Sequence, residues 1–527
     1  DGCWYAEGFY RVPDEFNRGA DANVPVRGVD IEARFIPQSG GPAIVTVFVD
    51  LVRPPVVFVH GLWSDSDTWA AFPTAAATVL PIREFADYGG AAASSSLASN
   101  KGVVYNHIQQ ALERCRRASI RCTRVDVIGH SMGGLLTRIH SNSALYATAL
   151  NRYHGNVRKL ITLDTPHTGS PLANLLSAIA LDPSSEGAVM RALFERFKKP
   201  IHLGAIFDLS TDSAPITTLQ QCPVPAHAQV GIGGPDLLGT VFLPMGGFYR
   251  ALFLVSVITG TDVFGPTQHD VLVGRLSQEG GLPASATTLF GLTDGGIHIS
   301  IPPFDGNTSS VAYSDRAREL LDTRTSENDW GTLPAGSPFQ YTPAQDGRER
   351  ERALEEALAR VAEADRRLEG AFDLTITSPA PGTVITPGST ITVTVSVAPG
   401  VTVDQVVVAG ENQAVNDTSA PFSVSFEVPL NAFRSYEIQA FGKNNATNEY
   451  YLSVPVAFVA TPAAALQSLE ISPLEGFIVG PGDTLRLSVT GLFADGIRRP
   501  IPPSEVTWTS LNPSFVSVAA DGIATGV

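Results

Sequence analysis

The chain contains 527 residues, of which 44% are hydrophobic and 17% are charged, and its formal net charge is −16. This length suffices for three or more domains, and the composition is that of an ordinary globular protein rather than a disordered or fibrous one. The negative charge argues against nucleic acid and anionic membrane surfaces as partners, because both repel an acidic protein.

The start of the chain and its four cysteines bear on the cellular compartment. The sequence has neither an initiator Met nor a signal peptide, so we expect a processed or trimmed N-terminus. Cys115 and Cys122 flank a short link between a predicted helix and a predicted strand, which favours a disulfide between them. Cys3 and Cys222 form a weaker candidate pair. Disulfides indicate an oxidising, extracytoplasmic setting, and buried free thiols are the alternative.

The first strong strand signal is the apolar run at residues 56–59, which follows two prolines and ends in His60-Gly61-Leu62-Trp63. A short, continuous β-branched run of this kind is typical of a strand buried on both faces of a parallel sheet. A loop directly after such a strand can aim backbone N–H groups at a developing oxyanion, and we assign this role to the N–H of Leu62. The alternative is that His60-Gly61 only ends the strand.

The most informative motif is Gly129-His130-Ser131-Met132-Gly133. It has the G-x-S-x-G pattern of a nucleophile elbow, in which a sharp strand-to-helix turn exposes a serine hydroxyl next to a base. The context fits, because an apolar run precedes the motif and apolar residues at helical spacing follow it, namely Leu135, Leu136 and Ile139. We therefore predict Ser131 as the nucleophile, with the N–H of Met132 as the second oxyanion donor.

On these motifs, residues 30–325 resemble an α/β-hydrolase of the lipase and esterase type. Residues 163–170 resemble the T-P-H-x-G-S segment of bacterial lipases and of hydrolases like the GPI inositol deacylases, and residues 208–213 resemble their D-L-x-x-x-S segment. The resemblance implies an α/β fold and a catalytic domain over residues 1–325. It also implies that a catalytic acid and then a histidine follow Ser131 along the chain.

Between the Thr165-Pro166-His167 segment and residue 270 lie about 100 residues, more than one crossover helix requires. We predict a helical cap insertion at about 170–262, with a helix near 170–198 and an apolar stretch at 237–260. By its length, this stretch is also a candidate membrane span. Pro, Gly and Arg interrupt its middle, so a hydrophobic cap is the preferred interpretation over a membrane segment or an ordinary buried helix pair.

The resemblance implies that Asp270 is the catalytic acid, since residues 268–278 match the family's D-x-x-V-x-x-x-S-Q loop. Asp262 and Asp294 are competing candidates, and Asp262 could alternatively bind a cation. In some lipases of this shape a calcium ion steadies the loop that carries the histidine, but no paired carboxylate motif indicates one here. We expect no cofactor, and hydrolysis at Ser131 needs no metal.

His298 is the predicted catalytic base among ten histidines. It ends the Gly-rich turn at 294–298 and precedes an amphipathic helix at about 311–321, the place where the family carries its triad histidine. A structural role in the loop is the alternative. His60, His130 and His167 lie in motifs where the family uses histidine structurally.

The chain changes character after residue 325. Residues 326–372 read as a polar linker followed by an amphipathic helix at 348–370, and residues 373–460 show short alternating strands typical of an all-β Ig-like sandwich. Residues 466–527 are similar to bacterial Ig-like group 2 modules, whose pattern continues with one more strand. We therefore expect this module to be truncated, with an unpaired edge.

These predictions combine into a secreted serine carboxylic-ester hydrolase with a Ser131, Asp270, His298 triad. A hydrophobic cap favours an acyl or polyester substrate. The Ig-like modules suggest attachment to a cell surface or an insoluble substrate. An acyltransferase or amidase with the same triad is the first alternative. The second is an adhesion protein with an inert hydrolase domain.

Overall fold

The computed structural model describes residues 24, 26–35, 43–69, 82–86, 88, 95–196, 201–202, 204–234, 264, 267–298, 311–322, 329–336, 372–410, 413–447, 449–472, 484–502 and 505–527. An antiparallel hairpin of β1 (Val26–Phe35) and β2 (Ala43–Val52) comes first and forms a sheet of its own.

A six-stranded parallel sheet is the centre of the predicted hydrolase domain. Its strand order is β4-β3-β5-β6-β7-β8. The strands are β3 (Val56–Val59), β4 (Arg83–Ala86), β5 (Val125–His130), β6 (Val157–Leu163), β7 (Ala226–Gly231) and β8 (Thr287–Phe290). Because parallel strands all point the same way, the loops after β3, β5, β6, β7 and β8 meet at one edge of the sheet.

Helices pack on both faces of this sheet. The nine α-helices of the described residues are α1 (Leu97–Asn100), α2 (Val103–Arg117), α3 (Met132–Ser141), α4 (Pro171–Leu181), α5 (Ser185–Arg196), α6 (Gly204–Asp208), α7 (Ala214–Thr217), α8 (Arg275–Glu279) and α9 (Val311–Asp322). Short 3-10 turns occur at Ser66–Trp69, Ala149–Asn151, Ala284–Ala286 and Leu292–Asp294.

The alternation of side chains along β3 shows how the two faces are filled. Val57 belongs to an apolar core that includes the buried face of α2, whereas Val56 and Phe58 belong to a second core with α9. All four residues of β3 are buried, as the continuous apolar run predicts. The α/β-hydrolase class inferred from the sequence is therefore confirmed, and so is the closing amphipathic helix.

A disulfide joins Cys115, near the end of α2, to Cys122, just before β5, as the sequence predicts. Cys222 is buried, with its Sγ 3.5 Å from the Oγ of Ser141. Its candidate partner Cys3 lies outside the described residues, so that pairing stays a prediction.

The predicted cap insertion at about 170–262 needs a correction. The helical part is present as α4 and α5, but β7 returns to the central sheet inside the predicted range. The predicted range is therefore divided by β7 into one part between β6 and β7 and another part between β7 and β8. The apolar stretch at 237–260 lies outside the described residues. Within the part that the structure describes, no helix combines the length and hydrophobicity that crossing a membrane requires.

Residues 374–460 form the β-sandwich expected from the alternating pattern. One sheet has the order β14-β11-β9, and the other has the order β10-β17-β15-β12-β13 with β16 added beside β15. The strands are β9 (Leu374–Ser378), β10 (Val384–Ile385), β11 (Thr390–Val397), β12 (Gln405–Gly410), β13 (Gln413–Asp417), β14 (Ser423–Glu427), β15 (Tyr436–Asn444), β16 (Glu449–Leu452) and β17 (Val456–Ala460).

The second all-β module has two three-stranded sheets, with the orders β18-β20-β21 and β19-β23-β22. Its strands are β18 (Leu466–Ser472), β19 (Thr484–Arg486), β20 (Ser488–Phe493), β21 (Arg498–Ile501), β22 (Val516–Val518) and β23 (Ile523–Gly526). It contacts the first sandwich through the rings of Phe433 and Phe493 and through an ion pair between Arg434 and Glu505. The predicted linker and helix at 326–372 lie largely outside the described residues.

The first sandwich also contacts the cap helix α5. Val189, Met190 and Leu193 of α5 share one apolar cluster with Val407, Phe441 and Tyr450 of the sandwich. At the end of the same helix, Arg196 forms an ion pair with Glu437 at 2.5 Å. The sandwich is therefore packed against the cap rather than tethered at a distance from it.

Candidate active site

Ser131 lies at the turn between β5 and α3, at the carboxyl edge of the sheet. Its φ is 54° and its ψ is −124°, a conformation that L-residues with a side chain adopt only under constraint. The constraint is visible in the backbone, where the N–H of Ser131 donates to the carbonyl of Leu163 at 2.8 Å and its carbonyl accepts from the N–H of Gly134 at 3.1 Å. Strained backbone at this position is the signature of a nucleophile elbow.

Three glycines let the backbone close tightly around Ser131. A Cβ on Gly129 would lie 2.7 Å from the backbone N of Gly134, and a Cβ on Gly133 would lie 2.7 Å from the carbonyl oxygen of His60. A Cβ on Gly61 would lie 2.6 Å from the Cβ of Ser131 and 3.1 Å from its Oγ. The loop after β3 therefore touches the serine side chain directly, which is where the sequence analysis placed an oxyanion donor.

The two predicted oxyanion residues flank Ser131 from these two sides. Leu62 follows Gly61 in the loop after β3 and is partly buried, and Met132 is the buried first residue of α3. A backbone N–H in the first turn of a helix has no partner within that helix, so it is free to bind an anion.

The predicted acid and base are in direct contact. The Nδ1 of His298 lies 2.7 Å from the Oδ2 of Asp270, and both side chains are buried. The other carboxylate oxygen of Asp270 accepts from the backbone N–H groups of Leu272 at 2.9 Å and Val273 at 2.6 Å. The N–H of His298 also donates to the carbonyl of Asp270 at 3.1 Å, so backbone and side chain hold the pair together.

His130 connects this pair to the elbow. Its Nε2 lies 3.0 Å from the carbonyl oxygen of His298, and the two imidazole rings have centroids 4.9 Å apart. Because a carbonyl only accepts, the Nε2 of His130 carries the proton and donates. His130, which directly precedes Ser131, therefore holds the loop of His298, although the two histidines are 168 positions apart in the sequence.

The loop that carries Asp270 is fastened by the last two residues of its motif. The amide of Gln278 exchanges two hydrogen bonds with the backbone of Gly231 at the end of β7, at 2.8 and 3.0 Å. The hydroxyl of Ser277 donates to the carbonyl of Gly169 at 2.6 Å. These contacts explain why the motif ends in Ser-Gln, since both side chains tie the loop to its neighbours.

A second buried carboxyl group, which no sequence motif identified as part of the site, lies beside the pair. Asp164 follows β6, is fully buried, and has a φ of 50°. Its Oδ1 accepts from the N–H of Gly231 at 2.8 Å and from the hydroxyl of Tyr313 at 3.3 Å. Burial and the charge of Asp270 raise the pKa of Asp164 well above its usual range. An Asp directly after a sheet strand was the available signal.

The histidines of the flanking motifs are held in the neutral form. Burial lowers the pKa of His60 to about 4, and its ring stacks on Tyr88 with centroids 4.0 Å apart. Burial and the neighbouring His298 lower the pKa of His130 well below its usual range, and burial also lowers that of His167.

The alternative acids are placed differently from Asp270. Asp294 is exposed in the 3-10 turn before His298. Asp262 lies outside the described residues. Asp270 is the candidate whose carboxylate contacts the imidazole of His298.

Comparison with known proteins was made at the level of families and of solved structures. Residues 84–181 match the family model described as "PGAP1-like alpha/beta domain", and residues 373–440 match "Bacterial Ig domain". No curated protein shows significant similarity to the chain.

Several solved structures are similar to it. The mature Bacillus licheniformis lipase BlEst2 is 20% identical, with 51% of this chain and 92% of that one covered and a TM-score of 0.32. Phospholipase PlaB from Legionella pneumophila is 11% identical, with 76% and 89% covered and a TM-score of 0.34. The Staphylococcus hyicus lipase is 15% identical, with 59% and 97% covered and a TM-score of 0.30. The chain is thus similar to a PGAP1-like alpha/beta domain within its parallel-sheet part and to a bacterial Ig domain within its first β-sandwich.

Proposed function

We propose that the chain is a secreted serine carboxylic-ester hydrolase in which Ser131, His298 and Asp270 act as a triad. The observation that carries this proposal is the contact between His130 and the loop of His298. It supports the proposal because His130 directly precedes Ser131 in the strained turn, while His298 contacts the buried Asp270. A nucleophile, a base and a group that orients the base are the minimum that acyl transfer requires.

In the proposed reaction, the hydroxyl of Ser131 attacks the ester carbonyl while the Nε2 of His298 takes its proton. Asp270 holds the imidazole in the tautomer with Nδ1–H and stabilises the imidazolium that forms. The N–H groups of Leu62 and Met132 bind the oxyanion. His298 then protonates the leaving alcohol, and water releases the acid from the acyl-serine by the same steps in reverse order.

The apolar surroundings favour an acyl or polyester chain as substrate. One hydrophobic cluster extends from α4 and α5 to Val271 and Ile297, the neighbours of Asp270 and His298, and Leu62 and Trp63 pack against it. Burying apolar substrate surface there would contribute roughly 25 cal/mol per Å². A small polar ester would gain little from such walls.

The disulfide and the Ig-like modules support an extracytoplasmic location. Disulfides persist in oxidising compartments, and Cys115–Cys122 is present. We infer that the modules attach the enzyme to a cell surface or an insoluble substrate, and that packing of the first module on α5 holds the enzyme in a fixed orientation there.

The proposal is tested by replacing the nucleophile. We expect Ser131→Ala to lower turnover of a p-nitrophenyl acyl ester by at least about a thousandfold and to abolish labelling by a fluorophosphonate. Ser396→Ala, which removes an exposed hydroxyl from β11, is the matched control and should leave both readouts unchanged. Turnover by Ser131→Ala at the wild-type rate would refute the assignment.

A further inference from the structure

Three buried side chains cluster next to the proposed triad in a way that ester hydrolysis does not require. The cluster consists of His130, Asp164 and His298. Each residue offers one potential ligand atom, and the three atoms all lie within 4.8 Å of one another. All three residues are buried, at 3%, 0% and 4% exposure. The triad mechanism uses only His298 of this set as a reacting group, and the contact of His130 with the loop of His298 occupies only the Nε2 of His130.

Two of these residues each present a buried polar atom without a partner. The Nδ1 of His130 and the Oδ2 of Asp164 have no hydrogen-bond partner among the residues that the structure describes. Because the Nε2 of His130 donates to the carbonyl of His298, its Nδ1 carries a lone pair. A carboxylate oxygen likewise carries lone pairs, and a buried acceptor with no donor costs roughly 1–3 kcal/mol. A cation that displaces any proton held between them would satisfy both atoms at once.

We propose that His130, Asp164 and His298 form a binding site for a zinc ion, and that zinc bound there inhibits the enzyme.

The ligand set and its supports fit zinc in particular. Two imidazole nitrogens and one carboxylate oxygen, with a fourth position left open, are a common zinc coordination set. Ligand atoms around tetrahedral zinc lie about 3.3 Å apart, so the widest separation in this cluster must shrink by up to about 1.5 Å when zinc binds. Calcium and magnesium prefer oxygen ligands and would bind this set poorly.

Each candidate ligand is also oriented by a second hydrogen bond, as in known metal sites. His130 is held by the carbonyl of His298, and the Nδ1 of His298 is held by Asp270. The Oδ1 of Asp164 is held by the N–H of Gly231 and the hydroxyl of Tyr313. These hydrogen bonds therefore orient all three candidate ligands, and binding zinc requires only that the side chains move closer together.

The inhibitory effect rests on the proposed function. If zinc binds the Nε2 of His298, Ser131 loses its base, and if it binds the Nδ1, the imidazole loses Asp270. In either geometry the ring cannot accept the serine proton. Removal of zinc by a chelator should restore turnover fully, because no covalent bond is made.

Calorimetric titration of the full chain with zinc separates the site from the catalysis. We expect Ser131→Ala, which is inactive, to bind one equivalent of zinc as tightly as the wild type does. Asp164→Asn removes the anionic ligand with little change in shape, and His130→Gln removes a nitrogen ligand. Each should weaken zinc binding by at least about tenfold. Thermal melting of each variant checks that it folds.

A matched control addresses zinc bound elsewhere. The Nδ1 of His202 lies 3.7 Å from the Oε1 of Glu195 on the surface, so this pair is a competing weak site. His202→Gln should leave both zinc affinity and inhibition unchanged. Inhibition of wild-type ester hydrolysis should track the calorimetric affinity, and calcium should not inhibit.

Two results would overturn the proposal. One is zinc affinity that is the same in the wild type, Asp164→Asn and His130→Gln. The other is wild-type turnover that persists at saturating zinc. Zinc binding that depends on Asp164, in a wild-type chain that hydrolyses no ester at all, would support the site and refute the proposed function instead.

Discussion

Asp270 is the residue whose hydrogen bonds are most fully accounted for. Its Oδ1 accepts from the backbone N–H groups of Leu272 and Val273, and its Oδ2 contacts the Nδ1 of His298. Because a carboxylate oxygen accepts hydrogen bonds, the contact with Asp270 places a proton of the imidazole on Nδ1.

The first prediction concerns this tautomer. In Asp270→Asn, the amide oxygen can keep the two backbone N–H donors only if the amide NH₂ faces His298. The imidazole must then present a lone pair at Nδ1 and a proton at Nε2, so it can no longer accept the proton of Ser131. We expect kcat to fall by about 10⁴ with KM little changed.

Steady-state kinetics on a soluble chromogenic ester measure this effect. Asp294→Asn is the control, because it makes the same change at an exposed site four residues before His298. Equal loss of kcat in both variants would contradict the assignment of Asp270.

The second prediction concerns Gly61. A Cβ there would lie 2.6 Å from the Cβ of Ser131, closer than nonbonded carbons approach, so the loop and the serine must separate. Displacing Ser131 by even about 1 Å costs on the order of a hundredfold in rate, and we expect Gly61→Ala to lose that much kcat. Gly102→Ala is the control, since a Cβ at that position meets no atom of the described residues within 4 Å. Unchanged kcat in Gly61→Ala would show that the loop after β3 does not constrain the serine.

Much of the candidate site could be predicted from local motifs, whereas its supports could not. Ser131 lies in a short pattern whose residue types follow from the chemistry, and Asp270 lies in a loop that was identified by its resemblance to the family. The roles assigned to both residues stay predictions. Asp164 and Tyr313 make contact across 149 positions of the chain, and no local pattern links a residue after a strand to one on a distant helix.

At the level of secondary-structure elements, the sequence of β7 suggests less burial than the structure has. Its sequence, Ala226–Gly231, mixes apolar residues with His227 and Gln229, so it resembles a half-exposed segment of an insertion. All six residues are buried instead. The imidazole of His227 makes this possible, because its Nδ1 donates to the carbonyl of Asp329 at 2.8 Å and its Nε2 accepts from the hydroxyl of Thr288 at 2.8 Å.

The third prediction concerns how the stability of the fold depends on pH through the buried imidazole of His227. Burial lowers the pKa of His227 from 6.5 to about 4, so below pH 6.5 the unfolded chain binds a proton that the folded chain resists. The stabilisation is complete above about pH 6.5 and is lost as the pH falls toward 4. At pH 5 the loss amounts to about 2 kcal/mol.

Thermal unfolding followed between pH 7 and about 4.5 tests this linkage. His227→Gln keeps a polar side chain that cannot titrate, so its melting temperature should fall less steeply with acidification than that of the wild type. His154→Gln, which changes an exposed ring, should keep the wild-type slope. Parallel curves for all three proteins would contradict the linkage.

At the scale of the whole molecule, the main feature is the packing of the first sandwich against helix α5 of the predicted cap. Along β12, Val406 and Val408 point into the interior of the sandwich, whereas Val407 and Ala409 join the cluster that contains α5. Both faces of this sheet are therefore covered. The short alternating strands predicted for this module imply one buried face each, so the sequence pattern did not indicate that α5 covers the outer face of this sheet.

The last prediction tests whether this contact stabilises the cap. Val407→Asp places a carboxylate among the apolar side chains between β12 and α5, while the inward-facing residues of the sandwich stay intact. The variant should lose about 3 kcal/mol of stability. Its backbone amides in α5 should exchange with deuterium at least about tenfold faster, because the helix loses the apolar surface that Val407, Phe441 and Tyr450 supply. Val384→Asp is the control, since Val384 belongs to the same sandwich but is 68% exposed. Protection of α5 that is equal in both variants would mean that the cap is stable without the sandwich, and the Ig-like module would then act on the enzyme only through attachment.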